Sequence, residues 1–317
     1  MMTVERSFRL EAHEGLGSRP RPELIGPVLS ELRGTILDSV RMGFLHSSRA
    51  RGRVPTQLQA AADLHFIGHS AAGDGETILH FELPTLGAAA PEAFRQQLLW
   101  DDGPQPEQSA FELLAASLRD VAARRSDSSR FDRGLLKRFG RYRRLFAPRH
   151  LDRIALVDEE AAVPAFLDRQ MTEAALQLSA AIPPAQRVRV VGRLDVLGAS
   201  QGVMKIVVEP GSIVVVLWEG EGTIEALKDL FNRDVVVEGT AVFRPSGALL
   251  RVDASAIAEA SSSDGYFRRV PVAVMAADAS RLVRLKPGEP LAYERILGRI
   301  PAEETDEEFF AAVEAMS

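Results

Sequence analysis

The stretch from Arg187 to Ile257 constrains the fold of this chain more than any other, because its apolar runs alternate with turn signals in a fixed order. Three runs come first: VRVVGRLDVL (Val188 to Leu197), VMKIVVE (Val203 to Glu209) and SIVVVLW (Ser212 to Trp218). Their β-branched residues favour the pleated surface of a strand over a helix. Pro210-Gly211, between the second and third runs, is typical of a tight turn. These residues predict three strands, of which the last two form a hairpin.

A short helix and two more strands complete the pattern. Thr223 is a candidate cap of the helix. The apolar positions that follow at helical spacing are Ile224, Leu227, Leu230 and Phe231. DVVVEGTAVF and ALLRVDASAI then predict two strands joined by Arg244-Pro245-Ser246-Gly247. This order predicts an OB-like five-stranded β-barrel, a fold that binds ligands. The alternative is a simple antiparallel sheet packed on one helix.

Length and composition set the outer limits. A chain of 317 residues that is 46% hydrophobic and 26% charged is typical of a globular protein with about two cores. The absence of cysteine excludes disulfides and cysteine zinc sites, and it suits a reducing cytosol. The N-terminus MMTVERSFRL is charged where a signal peptide is apolar, and no run has membrane-spanning length. We therefore expect a cytoplasmic protein without a membrane partner.

The chain before the barrel mixes helix and strand. Apolar residues recur every four positions across PELIGPVLSELRGTILDSVRMGF and predict a long helix, whereas LHFIGHS and TILHFELP predict a hairpin. Further helices are predicted at 91–100, 110–124 and 161–178. The fold class is therefore α+β. It comprises a mixed helix and strand N-terminal domain (1–180), an OB-like β domain (183–260), and a linker with an acidic helical C-terminal tail (261–317).

Basic residues crowd the region from Arg124 to Arg149 around several aromatic residues. Such a cluster can hold a phosphate backbone. Asp127 and Asp132 lie inside it, however, and favour a solvated face or intramolecular ion pairs. The net charge of -6 also argues against an unspecialised nucleic-acid binder. The residues of this alternative nucleic-acid site are Arg138, Arg141, Arg143 and Arg144, with Lys205 and Trp218 from the barrel.

Two further patterns are those of enzymes. GHSAAG at 68–73 resembles the nucleophile elbow of the α/β-hydrolases, with Ser70 as nucleophile and His80 or His150 as downstream bases. The fit is poor, because Ala72 replaces the second glycine and the residues that follow predict a turn and a strand where a helix is required.

Histidines of the predicted hairpin form the other pattern. His65 and His69 would share a strand face, and a register that pairs Ile67 with His80 would add His80 and Glu82. These are zinc-ligand types, but no strong metal motif accompanies them, and the alternative is the solvated face of a hairpin. We therefore expect no catalytic residue, no metal and no cofactor, and a protein that is not an enzyme.

The C-terminal sequence RILGRIPAEETDEEFFAAVEAMS predicts an acidic amphipathic helix that begins near Thr305, with Glu308 completing a capping box. A charged helix with an apolar side beyond a linker is typical of a segment that docks on a partner. The expected partner-binding residues are Ile296, Glu304, Asp306, Glu307, Phe309, Phe310 and Val313.

The tail resembles those of small bacterial antitoxins encoded beside PIN-domain ribonuclease toxins. The resemblance rests on Ile296, Gly298, Pro301, Glu304, Asp306, Glu307 and Glu308. It departs at Ile300, where tryptophan is expected, and at Ala302, where glycine is expected. The remaining chain is similar to an uncharacterised bacterial family through RMGFLHSSRARGRVPTQL, LHFELPTLG, RVRVVGRLDVL and FRPSGALLRVDA.

These likenesses imply a non-catalytic binding protein, antitoxin-like or part of a defence module, that docks a protein partner such as a PIN-type toxin. A homo-oligomer stays open. Nucleic-acid binding is the alternative function.

Overall fold

The computed structural model describes residues 2–12, 21–49, 54–72, 75–94, 103–146, 151–157, 164–198, 202–220 and 224–274. Residues 1–274 form one compact unit. The predicted acidic tail lies outside the described residues and stays a prediction, as does the division into domains. None of the helices in the described ranges is long and apolar enough to cross a membrane.

The first part of the chain is a five-stranded antiparallel sheet with helices packed on one face. Its strands are β1 (Thr3–Ala12), β2 (His65–Ala71), β3 (Thr77–Pro84), β4 (Leu151–Val157) and β5 (Ala165–Asp168), in the spatial order β2-β3-β1-β4-β5. Its helices are α1 (Pro22–Leu45), α2 (Thr56–Ala61), α3 (Leu86–Ala89), α4 (Pro91–Phe94), α5 (Ala110–Ala122), α6 (Arg133–Arg141) and α7 (Arg169–Ala181).

Alternation along the strands decides which face of this sheet is covered. On β1, Phe8 and Leu10 are fully buried against the helices, while Ser7 and Arg9 lie on the other face. The burial pattern of β3 alternates in the same way. The helices cover one face, and the opposite face, which we call the open face, is polar. This two-layer arrangement explains the period of two in β1 and β3.

The predicted long helix and hairpin are confirmed as α1 and as β2 with β3. Helix α5 begins with a capping box, in which the Ser109 N–H donates to Glu112 Oε2 at 2.6 Å and the Phe111 N–H donates to Ser109 Oγ at 3.2 Å. The helix predicted at 161–178 is wrong at its start. Residues 165–168 form β5 because they pair with β4, and α7 begins only at Arg169.

The second part is a closed five-stranded barrel. Its strands are β6 (Gln186–Gly198), β7 (Val203–Val208), β8 (Ser212–Trp218), β9 (Asp234–Phe243) and β10 (Leu249–Glu259), in the closed order β10-β8-β7-β6-β9. The β8–β10 pair is parallel and the others are antiparallel, so the simple antiparallel sheet is excluded. The barrel fits an OB-like fold. The predicted helix after the third strand is a 3-10 helix, Ile224–Leu230.

The predicted linker folds back along the barrel over the described residues 261–274. Ser262–Phe267 form a 3-10 helix with a capping box between Ser261 and Asp264. Arg268 Nη2 then lies 2.5 Å from Asp234 Oδ2 on β9. Val270 packs against the barrel core, and Ala273 is buried beside Phe243. We call residues 261–274 the strap.

Candidate functional site

Arg138, a candidate nucleic-acid residue, is held inside the protein. Its guanidinium donates to Asp38 of α1 and lies 3.7 Å from Glu31, and only 18% of its side chain is exposed. Burial raises the pKa of Asp38, and the hydrogen bond and charge of Arg138 oppose that rise. Arg138 therefore joins α6 to α1 and does not face solvent as a phosphate ligand must.

The other candidate arginines of this region form an exposed surface. Arg141 ends α6, and Arg143 and Arg144 lie in the 3-10 helix Tyr142–Arg144 that continues it. Lys137 precedes Arg141 by one helical turn and is also exposed. Within the described residues, none of the four is ion-paired with a carboxylate. We call Lys137, Arg141, Arg143 and Arg144 the basic patch.

Two arginines before α6, Arg125 and Arg130, contact Asp120 of α5. This buried carboxylate lies 3.1 Å from Arg125 Nη1 and accepts hydrogen bonds from Arg130 Nη1 at 3.0 Å and from Ser128 Oγ at 2.6 Å. The contacts shape residues 124–130 into a loop along a groove of about 990 Å³ that α1 and α5 also line. The buried Asp120 carboxylate that lines the groove is bound by residues of this loop. Its contacts are therefore structural contacts that shape the groove.

The same loop connects the sheet region to the barrel. Asp127 Oδ1 accepts hydrogen bonds from Arg244 at 3.2 Å and from Ser246 at 3.0 Å, both in the β9–β10 turn. This turn is one of the loops with which OB folds commonly contact oligonucleotides and oligosaccharides. Here it is engaged by the protein's own chain.

A buried polar network makes a second connection. Asp132 caps α6 by accepting from the Leu135 N–H at 2.9 Å, and it also accepts from the backbone N–H and the hydroxyl of Ser48. Arg251 of β10 lies 3.8 Å from Asp132 and donates to the His46 carbonyl at 2.7 Å. Asp132 and Arg251 are each less than a tenth exposed, so the network holds α1, α6 and the barrel together.

The barrel candidates Lys205 and Trp218 are not brought together. Lys205 lies on the outer side of the wall, because its neighbours Met204 and Ile206 point into the barrel core. Trp218 packs against that core. The two side chains therefore lie on opposite sides of the wall and cannot form one stacking platform.

The outer side of β7 and β8 is also partly covered. Val203 on β7 and Leu217 on β8 face each other in the strand pairing, and both belong to the buried cluster of the sheet and helices. Leu250 of β10 joins the same cluster. The covering explains why these strands are apolar on both alternating faces.

The histidine register differs from the predicted one. A β-bulge at Ile67 makes Gly68 the partner of His80, whereas His65 pairs with Glu82 as predicted. The bulge places His69 opposite Leu79, on the other face from His80. The predicted grouping of His65, His69 and His80 on one face is therefore wrong. The described residues contain no group of three or more metal-ligating side chains arranged around a metal position.

His80 instead joins three strands on the open face. Its Nε2 lies 2.8 Å from Ser70 Oγ, and its Nδ1 lies 3.0 Å from Ser7 Oγ and 3.4 Å from Glu5 Oε1. Sequence analysis singled out Ser70 and His80 but missed Ser7 and Glu5, which lie on β1 more than 60 residues away. The alternation of polar and apolar residues on β1 indicated which face of the sheet Ser7 and Glu5 share. It did not indicate that they contact His80.

The remaining predicted residues lie outside the described ranges. These are His150 and the tail residues Ile296, Glu304, Asp306, Glu307, Phe309, Phe310 and Val313.

Comparison with known proteins leaves the fold and the site as the basis for function. No protein-family model matches the chain, and neither a curated protein nor a solved structure does.

Proposed function

We propose that the chain is a binding protein that docks a protein partner through its C-terminal segment. The proposal rests on the strap, because apolar side chains of this segment are exposed to solvent shortly before residue 275. Val272 is 81% exposed, Tyr266 72% and Val274 50%. Exposed apolar side chains that lie close together in the chain favour a surface that associates with another molecule.

The barrel supports a protein partner over a nucleic acid. Its β9–β10 turn is engaged by Asp127, and part of its β7 and β8 wall is buried by the rest of the chain. The barrel thus acts as a rigid support for the strap. The antitoxin-like tail makes a PIN-type toxin the proposed partner, with acidic residues approaching a basic surface and Phe309 or Phe310 filling an apolar groove.

The test is binding of the full chain to the product of the adjacent gene, measured by calorimetry on nuclease-treated proteins. Deletion of Ile296 to Ser317 should weaken binding at least about 30-fold, because the loss of a central aromatic anchor alone costs about 2 kcal/mol or more. The matched control is Ile213→Ala, since Ile213 is an apolar residue of the barrel wall that is 61% exposed. Undiminished binding by the deletion variant would refute the proposal.

The basic patch favours a second candidate function, nucleic-acid binding. Four exposed basic side chains on one helix end can contact successive phosphates, and each contact releases counterions. Arg138 and Trp218 would take no part, because one is held in an ion pair and the other faces the barrel core.

Salt dependence tests the second candidate. The double variant Arg141→Glu with Arg144→Glu should weaken binding to single-stranded DNA and flatten the dependence of log K on log salt by about 0.7 per lost phosphate contact. The double variant Arg187→Glu with Lys228→Glu is the control, because both residues are exposed, lie outside the basic patch and change the net charge by the same amount. Equal weakening by both variants would show that binding follows net charge alone, and this would reject the patch as a site.

A further inference from the structure

Three polar side chains from neighbouring strands meet on the open face: Ser70 on β2, His80 on β3 and Glu5 on β1. Ser70 Oγ lies 2.8 Å from His80 Nε2, and Glu5 Oε1 lies 3.4 Å from His80 Nδ1. A hydroxyl at one imidazole nitrogen and a carboxylate at the other is the arrangement that activates a serine nucleophile. We propose that these residues form a nucleophilic site that cleaves small acyl esters. This activity goes beyond the proposed binding role and does not rest on it.

The β-bulge is what brings Ser70 to His80. The extra residue, Ile67, shifts the rest of β2 by one position relative to β3. Without that shift Ser70 would face the core side and His69 would face the open side, because a one-residue slip exchanges the two faces. Bulges are over-represented next to active sites, where they redirect a side chain.

The hydrogen bonds favour the tautomer that a general base requires. Glu5 and Ser7 both present oxygen atoms to His80 Nδ1, at 3.4 and 3.0 Å, so the ring proton is best placed on that nitrogen. Nε2 then carries the lone pair and accepts from the Ser70 hydroxyl at 2.8 Å. This arrangement differs from the nucleophile elbow, since Ser70 lies within a strand and not at a turn into a helix.

The surroundings of Ser70 have room for a small substrate. Gly68, the strand partner of His80, has no side chain, and a Cβ placed there would have no atom within 4 Å. β2 is an edge strand of the described sheet, so N–H groups on its outer side can donate to a developing oxyanion. Ser70 and most of β2 are exposed, which suits esters with short acyl chains.

The reaction balances without a cofactor. Ser70 Oγ bonds to the ester carbonyl carbon while its proton passes to His80 Nε2. The bond from that carbon to the alcohol oxygen then breaks, and the alcohol leaves with the proton from His80. In the second half a water oxygen bonds to the acyl carbon, its proton passes through His80 to Ser70 Oγ, and the acyl bond to Ser70 breaks. The sum is ester plus water giving acid plus alcohol.

The test is labelling of the full chain with a fluorophosphonate probe, with the modified peptide located by mass spectrometry, and hydrolysis of p-nitrophenyl acetate. We expect one label per chain, on Ser70. Ser70→Ala should abolish the label, and His80→Gln should slow labelling and hydrolysis about 100-fold or more. Glu5 acts as a positioning residue, so Glu5→Gln should lower kcat about tenfold with KM unchanged, and Glu5→Asp should restore part of the loss.

His65→Gln is the matched control, because His65 is an exposed histidine on the same strand that contacts Asp63 and not Ser70. It should leave labelling and hydrolysis unchanged, which separates the site from the weak esterase activity of any surface histidine. The circular dichroism of His80→Gln and of His65→Gln should match that of the unaltered chain, because neither histidine is buried. Absence of label, a label on another residue, or equal loss in His65→Gln would overturn the proposal.

Discussion

The sheet and the barrel each contain five strands, yet they leave very different surfaces for chemistry. The sheet has edges and one open face, and that face carries His80, Ser70 and Glu5 beside ion pairs. The barrel has no edge, its interior is filled by aliphatic side chains, and part of its outer wall is buried. Polar side chains from different strands therefore meet where a strand face lacks a covering layer.

The polar network between the two regions should show the largest effect. Asp132→Ala removes a helix cap and the acceptor for Ser48, and it leaves Arg251 buried with one carboxylate fewer. The free energy of unfolding should fall by about 3–5 kcal/mol, because a helix cap is lost and the buried N–H and hydroxyl of Ser48 are left without an acceptor, while Arg251 keeps Asp253. Urea unfolding with an unchanged m-value is the measurement. Asp132→Asn keeps one acceptor oxygen, which can still cap α6, and should lose less. An equal loss would assign the effect to the charge or to the second oxygen.

A pair of isoleucines should separate the covered barrel from the exposed sheet edge. Ile206→Ala inside the barrel, where the side chain is 1% exposed, should cost about 2–5 kcal/mol because a cavity remains. Ile67→Ala on β2, where the side chain is 52% exposed, should change stability by no more than about 0.5 kcal/mol. Thermal or urea unfolding of both variants checks the contrast. A large effect of Ile67→Ala would mean that the edge of the sheet is covered in solution.

The buried Asp38–Arg138 pair predicts a change in stability with pH. Burial raises the pKa of Asp38 above 3.8, so the folded state binds this proton more tightly than the unfolded state. The stability from this group is present below 3.8 and is lost as the pH rises through the raised value. The free energy of unfolding of the protein minus that of Asp38→Asn should therefore fall as pH rises across that window. Unfolding curves at several pH values test this, and a flat difference would contradict it.

An ion pair on the open face should show the smallest effect. Arg153 lies 3.7 Å from Glu11 and its guanidinium stacks over Phe166 at 4.8 Å, but 45% of its side chain is exposed. Arg153→Gln should cost less than about 1 kcal/mol and should cost still less in high salt, because solvent screens exposed charges. Urea unfolding at two salt concentrations is the measurement. A loss as large as that of Asp132→Ala would erase the contrast between open and covered polar groups.

Sequence analysis predicted most of the elements but little of the candidate site. Strand runs such as SIVVVLW and the Pro210-Gly211 turn are local signals, and Gly211 adopts the positive φ of 117° that glycine tolerates best. Strand β5 was missed because residues 165–168 are too few to show a period, and their state depends on pairing with β4. The polar neighbours of His80 were missed because register across strands is a long-range property.

By itself, the sequence determined the α+β class, the order of the barrel strands along the chain and the long helix α1, because these follow from local propensity and from periods of two or 3.6 residues. Tertiary structure alone decided the closure of the barrel through the parallel β8–β10 pair, the use of Arg138 in an internal ion pair, and the bulge that sets Ser70 beside His80. Each of these depends on residues far apart in the chain. Their contacts are fixed by packing and strand register, which no local pattern encodes.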